Sequence, residues 1–362
     1  MRGRPEPAAN SPRSPVLREL LQNALETIAD EVGAVAARNA YSPFVNQSSG
    51  IATAFFDDRG RLIAQTRGGE FHCSGVRVGL QELLKNIPAS TMADGDSFIL
   101  NDHFRGGIHP TDVMVLKPIF VDGALAFFHG ALMIVSDLGG LTASGLPGTA
   151  TECFHEGVMI PGLHLFRAGQ RNDDVYRLIE ANSRTPNRVI GDVNAMVAAG
   201  NVAGTRLREL AERYGLEVLK SLIDELIDYG ERMARDAITS IPDGSYTGTY
   251  LVEDDGIVMD KSYWIRVRVD VNGADIRVDL TGTEPRSVLP GTGSTWTPTS
   301  TCCFGPLRLR SSTSAGSGQV CFVAWPTLVD CSVVTVTPLL RMLWEPAQSR
   351  QRLSNRPSQL PV

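Results

Sequence analysis

The chain has 362 residues, of which 43% are hydrophobic and 20% are charged, and its formal net charge is −6. This length is enough to bury a full hydrophobic core without disulfides. A negative charge without a Lys/Arg block argues against nucleic acid or an anionic membrane as the main partner. No apolar run approaches the roughly 20 residues that a membrane-spanning helix needs. Composition therefore predicts a soluble globular protein, with the cytoplasm as the expected compartment.

The N-terminal region begins with a basic segment and continues as a helix. Residues 1–14 are predicted to be a disordered leader, because no apolar core follows their positive charges. Ser14-Pro15 favours a helix start, with a hydroxyl N-cap and a proline in the first turn. Apolar residues then recur at three- and four-residue spacing, so one long helix is expected to open the fold.

The next region carries strand patterns around one short helix. Residues 50–65 predict two strands joined at Asp58-Arg59-Gly60, and "GVRVGLQELLKN" predicts a short amphipathic helix. "DGDSFILND" predicts a further strand, and "VMVLKPIFV" with "ALAFFHGALMIV" predicts a hairpin that turns at Asp122-Gly123. The polar stretch "NDHFRGGIHPTD", residues 101–112, therefore falls in a loop between strands.

The second half changes from helices to strands. A helical layer is predicted over about 173–240, divided at Gly215, and antiparallel strands are predicted over about 244–282. Apolar and charged residues alternate in "SYWIRVRVDV", which indicates a sheet with one face in solvent, and Asn272-Gly273 predicts a type I′ turn. The predicted fold class is thus α+β, with antiparallel or mixed sheets.

One large domain is predicted over 15–300, and the composition changes after it. Residues 301–362 contain no lysine and hold four of the six cysteines. The absence of clean periodicity there predicts a truncated or divergent C-terminal part, either disordered or read out of frame.

The loop at 101–112 carries the strongest chemical signal. Gly106-Gly107 permits a tight bend, and His109 and Asp112 follow three residues apart, where helical curvature would aim both side chains the same way. An imidazole and a carboxylate suit a divalent transition metal, although a third ligand is commonly needed. The alternative is that Asp112 caps a turn and His109 is a hydrogen-bonded loop histidine.

Several motifs in this order resemble the hydantoinase B family, which includes the B-type subunits of N-methylhydantoinases, the C-terminal half of 5-oxoprolinases and the large subunit of acetone carboxylase. They are "ND…GG.H..D", "D.GG", "EG..IP" and "N.R.P…GD", within roughly residues 17–300. The resemblance implies a subunit that acts on a lactam, cyclic imide or ketone with an A-type, ATP-binding partner. The chain has no Walker-type phosphate loop, which is consistent with ATP on that partner.

The resemblance also implies a divalent metal, such as manganese, zinc or iron, at His109 and Asp112. The family's third ligand is a histidine, but this chain has Ile134 there. His129 is five residues away along a strand and so faces the other side. His103 lies in the loop itself, where the family usually has proline, and is the candidate substitute ligand. The family commonly has acidic residues in the N-terminal motif, after "SP". At these positions this chain has Gln47 and Gly50.

The remaining motif residues are candidates for catalysis or substrate binding. The predicted catalytic carboxylates are Asp102, Asp137 and Glu156, with Glu156 as a possible general base or, alternatively, a salt-bridged glutamate. The predicted substrate-binding residues are Gly106, Gly107, Asn182, Arg184 and Asp192. Arg184 suits a carboxylate or phosphate, but its segment could equally pin a helix junction. His72-Cys73 resembles a nucleophile without a placed base.

These observations predict a B-type subunit of an ATP-dependent amide-ring hydrolase, acting on a substrate such as a hydantoin or 5-oxoproline. Two alternatives stay open. One is a component of an ATP-dependent ketone carboxylase, and the other is a non-catalytic paralogue that has lost the third metal ligand.

Overall fold

In a computed structural model of the chain, the described residues are 15–43, 45, 50–66, 70–107, 109–143, 147–253, 258–283, 307–311 and 322–324. They form helices packed on antiparallel sheets, which confirms the predicted α+β class. The predicted leader and most of the predicted tail lie outside the described residues, and the predicted domain limits stay a prediction.

The described part of the chain contains five α-helices and twelve strands. The helices are α1 (Pro15–Asn39), α2 (Glu70–Asn86), α3 (Asp173–Asn182), α4 (Pro186–Tyr214) and α5 (Leu216–Thr239). The strands of the first sheet are β1 (Ile51–Asp57), β2 (Leu62–Gln65), β3 (Ser97–Leu100), β4 (Asp112–Val121), β5 (Ala124–Ile134), β6 (Pro161–Arg167) and β7 (Gln170–Arg171). The strands of the second sheet are β8 (Gly244–Val252), β9 (Tyr263–Asn272), β10 (Asp275–Asp279), β11 (Leu307–Ser311) and β12 (Phe322–Ala324).

The first sheet, in the order β2-β1-β5-β4-β3-β6-β7, is covered by helices on both faces. Along β4, Val113 and Val115 pack into the core shared with α1 and α4, whereas Met114 and Leu116 pack into the core shared with α2. Because successive side chains point to opposite faces, a strand buried on both sides is apolar at nearly every position. This explains the continuous apolar runs in the two central strands.

The second sheet has the order β12-β11-β10-β9-β8 and packs one face against the end of α5. Val267, Val269 and Val271 are buried while the residues between them are wholly or partly exposed, as the alternating pattern predicts. The predicted type I′ turn after β9 is wrong. Gly273 has a positive φ of 56° but the next residue does not, and only a type II′ turn limits the left-handed conformation to the first central position.

One edge of the first sheet collects the loops that carry the polar motifs. Strands β5, β4, β3 and β6 are antiparallel neighbours, so the ends of β5 and β3 meet the beginnings of β4 and β6. In register, Asp112 lies opposite Ile134 and Leu100 opposite Pro161. Segments distant in the sequence are thereby brought to one place. Within the part of the chain that the structure describes, no helix combines the length and the apolar character that crossing a bilayer requires.

Candidate active site

The loop between β3 and β4 is tied to the chain before β6 by Asn101, whose side chain is fully buried. Its Nδ2 donates to the carbonyl oxygens of Pro110 at 2.5 Å and Val158 at 2.9 Å. Its Oδ1 accepts from the backbone N–H of Ile160 at 2.6 Å. One amide therefore closes the loop and joins it to the segment that carries Glu156.

The glycine bend of this loop lies directly on the backbone of α2. Gly106 has a φ of 118°, and a Cβ there would come within 2.4 Å of the Gly75 carbonyl oxygen. A Cβ on Gly107 would lie 3.2 Å from the carbonyl oxygen of Asn101. Close backbone packing therefore requires glycine at Gly106. The substrate-binding role predicted for these two residues stays a prediction.

Asp102 begins the short 3₁₀ turn His103–Arg105. Its carboxylate accepts the backbone N–H of Phe104 at 3.0 Å and lies 3.4 Å from Nε of Arg105. These contacts are those of a capping residue, because they fix the direction in which the chain enters the turn. The catalytic role predicted for Asp102 is not tested by this arrangement.

His109 and Glu156 form a side-chain pair, with Nδ1 of the imidazole 3.1 Å from Oε2 of the carboxylate. The His109 side chain is 16% exposed, whereas that of Glu156 is fully buried. Asp112 is also buried, and its Oδ2 accepts the backbone N–H of His109 at 3.1 Å. The ring and the backbone of His109 are thus held by two different carboxylates, and part of the side chain stays exposed.

Two further histidines lie in the electrostatic range of this pair. Burial lowers the pKa of His103, His109 lowers it further, and the carboxylates of Asp102 and Glu156 oppose the change. Burial also lowers the pKa of His72, at the start of α2, with Asp112 opposing and His109 adding to the decrease. We call His72, His103, His109, Asp112 and Glu156 the acid–base cluster.

The acid–base cluster does not assemble a three-donor metal site. Among the described residues, no three His, Cys, Asp or Glu side chains are grouped so that they could hold a metal ion. Ile134 lies directly opposite Asp112 and supplies no donor atom, while Nδ1 of His109 is engaged by Glu156. The predicted trio of His103, His109 and Asp112 therefore shares one cluster but does not form a three-donor metal site among the described residues.

His129 is on the other face of the sheet, as its spacing from Ile134 predicts. It is fully buried beside Phe55, with ring centroids 5.3 Å apart, and its Nδ1 lies close to Gly200 of α4. Burial, with a smaller contribution from Lys117, lowers its pKa to about 3. This histidine belongs to the core and does not reach the cluster.

Asp137 and Arg184 clamp the turn after β5. The Arg184 guanidinium donates to Oδ1 of Asp137 at 2.9 Å and to the Gly140 carbonyl at 2.7 Å. Nδ2 of Asn182 donates to the carbonyl of Leu178 in its own helix. These contacts correspond to the alternative in which this segment pins a helix junction. The catalytic role predicted for Asp137 and the substrate-binding role predicted for Asn182 and Arg184 stay predictions.

Asp192, on α4, is fully buried and holds the chain that follows α1. Its carboxylate accepts from the backbone N–H of Tyr41 at 2.7 Å, from that of Ser42 at 3.0 Å, and from the Ser42 hydroxyl. Burial raises its pKa, and the three hydrogen bonds oppose the increase. Further along this chain, Gly50 accepts the backbone N–H of Ile134 at 3.1 Å. Gln47 lies outside the described residues.

Sequence patterns did not identify three parts of this site, namely the scaffold role of Asn101, the pairing of His109 with Glu156 and the proximity of His72. Residues 109 and 156 come from different loops, and residue 72 comes from a helix on one face of the sheet. Their proximity arises from strand pairing and helix packing, which no local spacing encodes. A usable signal is the asparagine placed immediately after a buried strand.

The fold and the acid–base cluster together define an α+β protein that gathers buried and half-buried titratable side chains where strand ends of its first sheet meet. The sequence model of the family "Hydantoinase B/oxoprolinase" matches residues 14–308. The chain belongs to this family.

Named relatives agree with this assignment. A Pseudomonas sp. (strain NS671) protein, provisionally named as the B-type subunit of a D-/L-hydantoinase, is 31% identical over 285 residues, covering 75% of this chain and 47% of the relative. The beta subunit of caprolactamase from Pseudomonas jessenii is 30% identical over 264 residues, covering 73% and 45%. The crystal structure of the ATP-dependent caprolactamase from P. jessenii matches with a TM-score of 0.71 and 26% identity, covering 82% of this chain and 52% of that one. The chain thus spans about half the length of the relatives that it matches.

Proposed function

We propose that this chain is the B-type subunit of an ATP-dependent amide-ring hydrolase, which opens a lactam or cyclic imide that an A-type ATPase partner has activated. The similar proteins are named as B-type or beta subunits, which supports a partner, and the similarity to an ATP-dependent caprolactamase supports a cyclic amide as substrate. ATP is assigned to the partner, as the family resemblance implies, and the lack of a Walker-type loop in this sequence is consistent with that assignment.

The observation that carries the proposal is the His109–Glu156 pair, with Asp112 on the backbone of the same histidine. A neutral imidazole bonded through one nitrogen to a carboxylate keeps the other nitrogen as a proton acceptor. In the proposed reaction, water adds to the activated ring carbon and gives its proton to Nε2 of His109. The carbon–nitrogen bond then breaks as the proton on Nε2 passes to the ring nitrogen, which leaves as an amine from a lactam or as an amide from a cyclic imide. A phosphoryl group placed on the ring oxygen during activation leaves as phosphate when a second water attacks.

This assignment can be tested with the complex of the chain and an A-type partner encoded beside it. We expect ATP-dependent ring opening of at least one compound in a panel of 5-oxoproline, hydantoin and caprolactam. Product analysis by mass spectrometry detects the ring-opened acid. ATP-dependent carboxylation of a ketone with bicarbonate, without ring opening of any cyclic amide, would support the carboxylase alternative instead.

A second candidate is a non-catalytic subunit, and the observation that favours it is Ile134 at the position opposite Asp112. A protein of this kind would keep the fold and the partner interface without processing a ring. It predicts a stable complex with no turnover of cyclic amide or ketone. Metal analysis of the same complex distinguishes two cases. No bound metal indicates that the metal site is lost, and a bound metal indicates that the third ligand comes from another residue.

A further inference from the structure

We propose that Glu156 is a positioning residue that holds the ring proton of His109 on Nδ1, so that Nε2 keeps its lone pair for water or substrate. The inference deepens the proposed function and depends on it only for its effect on turnover. The position of the proton is a property of this chain alone.

The first argument is the chemistry of the contact. An ionised carboxylate only accepts hydrogen bonds, so with Glu156 ionised the imidazole Nδ1, 3.1 Å from Oε2, donates its proton to it. A neutral imidazole carries one proton, and placing it on Nδ1 leaves Nε2 unprotonated. The contact therefore selects one of the two tautomers of His109.

The second argument is the burial of Glu156. Its side chain is fully buried, and Oε1 has no hydrogen-bond partner among the described residues. A buried carboxylate is stable only when donors compensate for its lost hydration. The His109 imidazole reaches Oε2, so its hydrogen bond is a main source of that compensation. If the ring rotated so that the Nδ1 proton no longer pointed at Oε2, the carboxylate would lose this hydrogen bond.

The third argument is that both backbones are held in place. The Glu156 N–H donates to the Cys153 carbonyl at 3.0 Å, and the Val158 N–H donates to the Leu138 carbonyl at 3.0 Å. Gly157, between them, has a φ of 146°, and a Cβ there would lie 2.9 Å from the same Leu138 oxygen. Asp112 fixes the other side through the His109 N–H. Supporting groups of this kind orient the side chain that does the chemistry.

The chain contains a matched control four residues upstream. Nε2 of His155 lies 3.1 Å from Oε1 of Glu152, the same distance as in the buried pair. The Glu152 side chain is 56% exposed, so solvent screens the interaction and can replace it. Glu152→Ala therefore removes an equivalent Glu–His contact without changing the acid–base cluster.

The test is nitrogen NMR of the full-length chain labelled with ¹⁵N-histidine, at a pH above the ordinary imidazole pKa. The chain has six histidines, so single substitutions assign the His109 signals. We expect a protonated Nδ1 and an unprotonated Nε2 in the wild type. Glu156→Ala should move the proton to Nε2 in a large share of molecules. Glu156→Gln, whose amide oxygen still accepts, should retain it on Nδ1, and Glu152→Ala should change nothing.

Turnover in the complex with the A-type partner gives the second readout. Glu156→Ala should lower the rate by about 10–100-fold, as losses of orienting partners typically do, and Glu156→Gln should restore most of it. An unprotonated Nδ1 in the wild type, or an Nδ1 proton that stays in place in a folded Glu156→Ala variant, overturns the inference. If the proposed function fails, the wild-type complex shows no turnover while the NMR result stands.

Discussion

Asparagine 101 provides a quantitative test of how the site is built. Replacing it by aspartate keeps the shape and keeps an oxygen for the Ile160 N–H, but it removes the donor to the Pro110 and Val158 carbonyls. Two buried carbonyl oxygens would then face a carboxylate oxygen. Each lost bond that leaves a buried group unsatisfied costs about 1–3 kcal/mol, so the loss of two bonds in Asn101→Asp should lower the free energy of unfolding by about 2–6 kcal/mol.

The assay is urea unfolding at neutral pH, followed by tryptophan fluorescence and far-UV circular dichroism. Asn182→Asp is the matched control, because Asn182 is exposed and donates only to Leu178 within its own helix. That control should change stability by no more than about 1 kcal/mol, including the unfavourable helix-end charge. An Asn101→Asp variant as stable as the control would refute the role of this amide as the connection between the two segments.

Two further predictions concern the core and the glycine bend. His129 has a pKa of about 3 when folded and an ordinary value near 6.5 when unfolded, so between these values the unfolded chain binds the extra proton and stability falls as pH falls. At about pH 5 this amounts to roughly 2 kcal/mol relative to neutral pH, and in urea titrations His129→Leu should show a correspondingly smaller pH dependence. Gly106→Ala should destabilise by at least about 2 kcal/mol more than Gly123→Ala, because both have positive φ but the Gly123 position has no atom within 4 Å. Equal losses in thermal unfolding would contradict the close packing on α2.

The fold was predictable from sequence in elements where one face is buried and the other is exposed, because apolar residues then recur at a regular spacing. The alternation in β9 and the long apolar spacing of α1 each reflect one buried face, and local residue order is enough to show it. The turn after β9 was assigned the wrong type because an Asn-Gly pair does not by itself fix which two residues are central. The strand register determines which residues form the turn. Asn272 pairs with Asp275, so Gly273 is the first of the two central turn residues.

The site was predictable only in part, for a related reason. His109 and Asp112 are close in sequence, so their proximity follows from the loop. Glu156 reaches His109 from 47 residues away, through strand pairing and the bonds made by Asn101. Arg184 and Asp192 are polar residues in family-like motifs, yet their contacts are to backbone groups and buried side chains of the scaffold. A motif residue that supports the scaffold and one that meets substrate look the same in sequence.

The most direct measurement of the central claim is the rate of ATP-dependent ring opening by the complex carrying His109→Asn. Loss of the proposed proton acceptor should lower the rate by about 10²–10⁴-fold, the usual contribution of general base catalysis. His155→Asn, which alters a loop histidine paired with the exposed Glu152, should leave the rate unchanged. An intact His109→Asn complex that opens the ring at the wild-type rate would contradict the account.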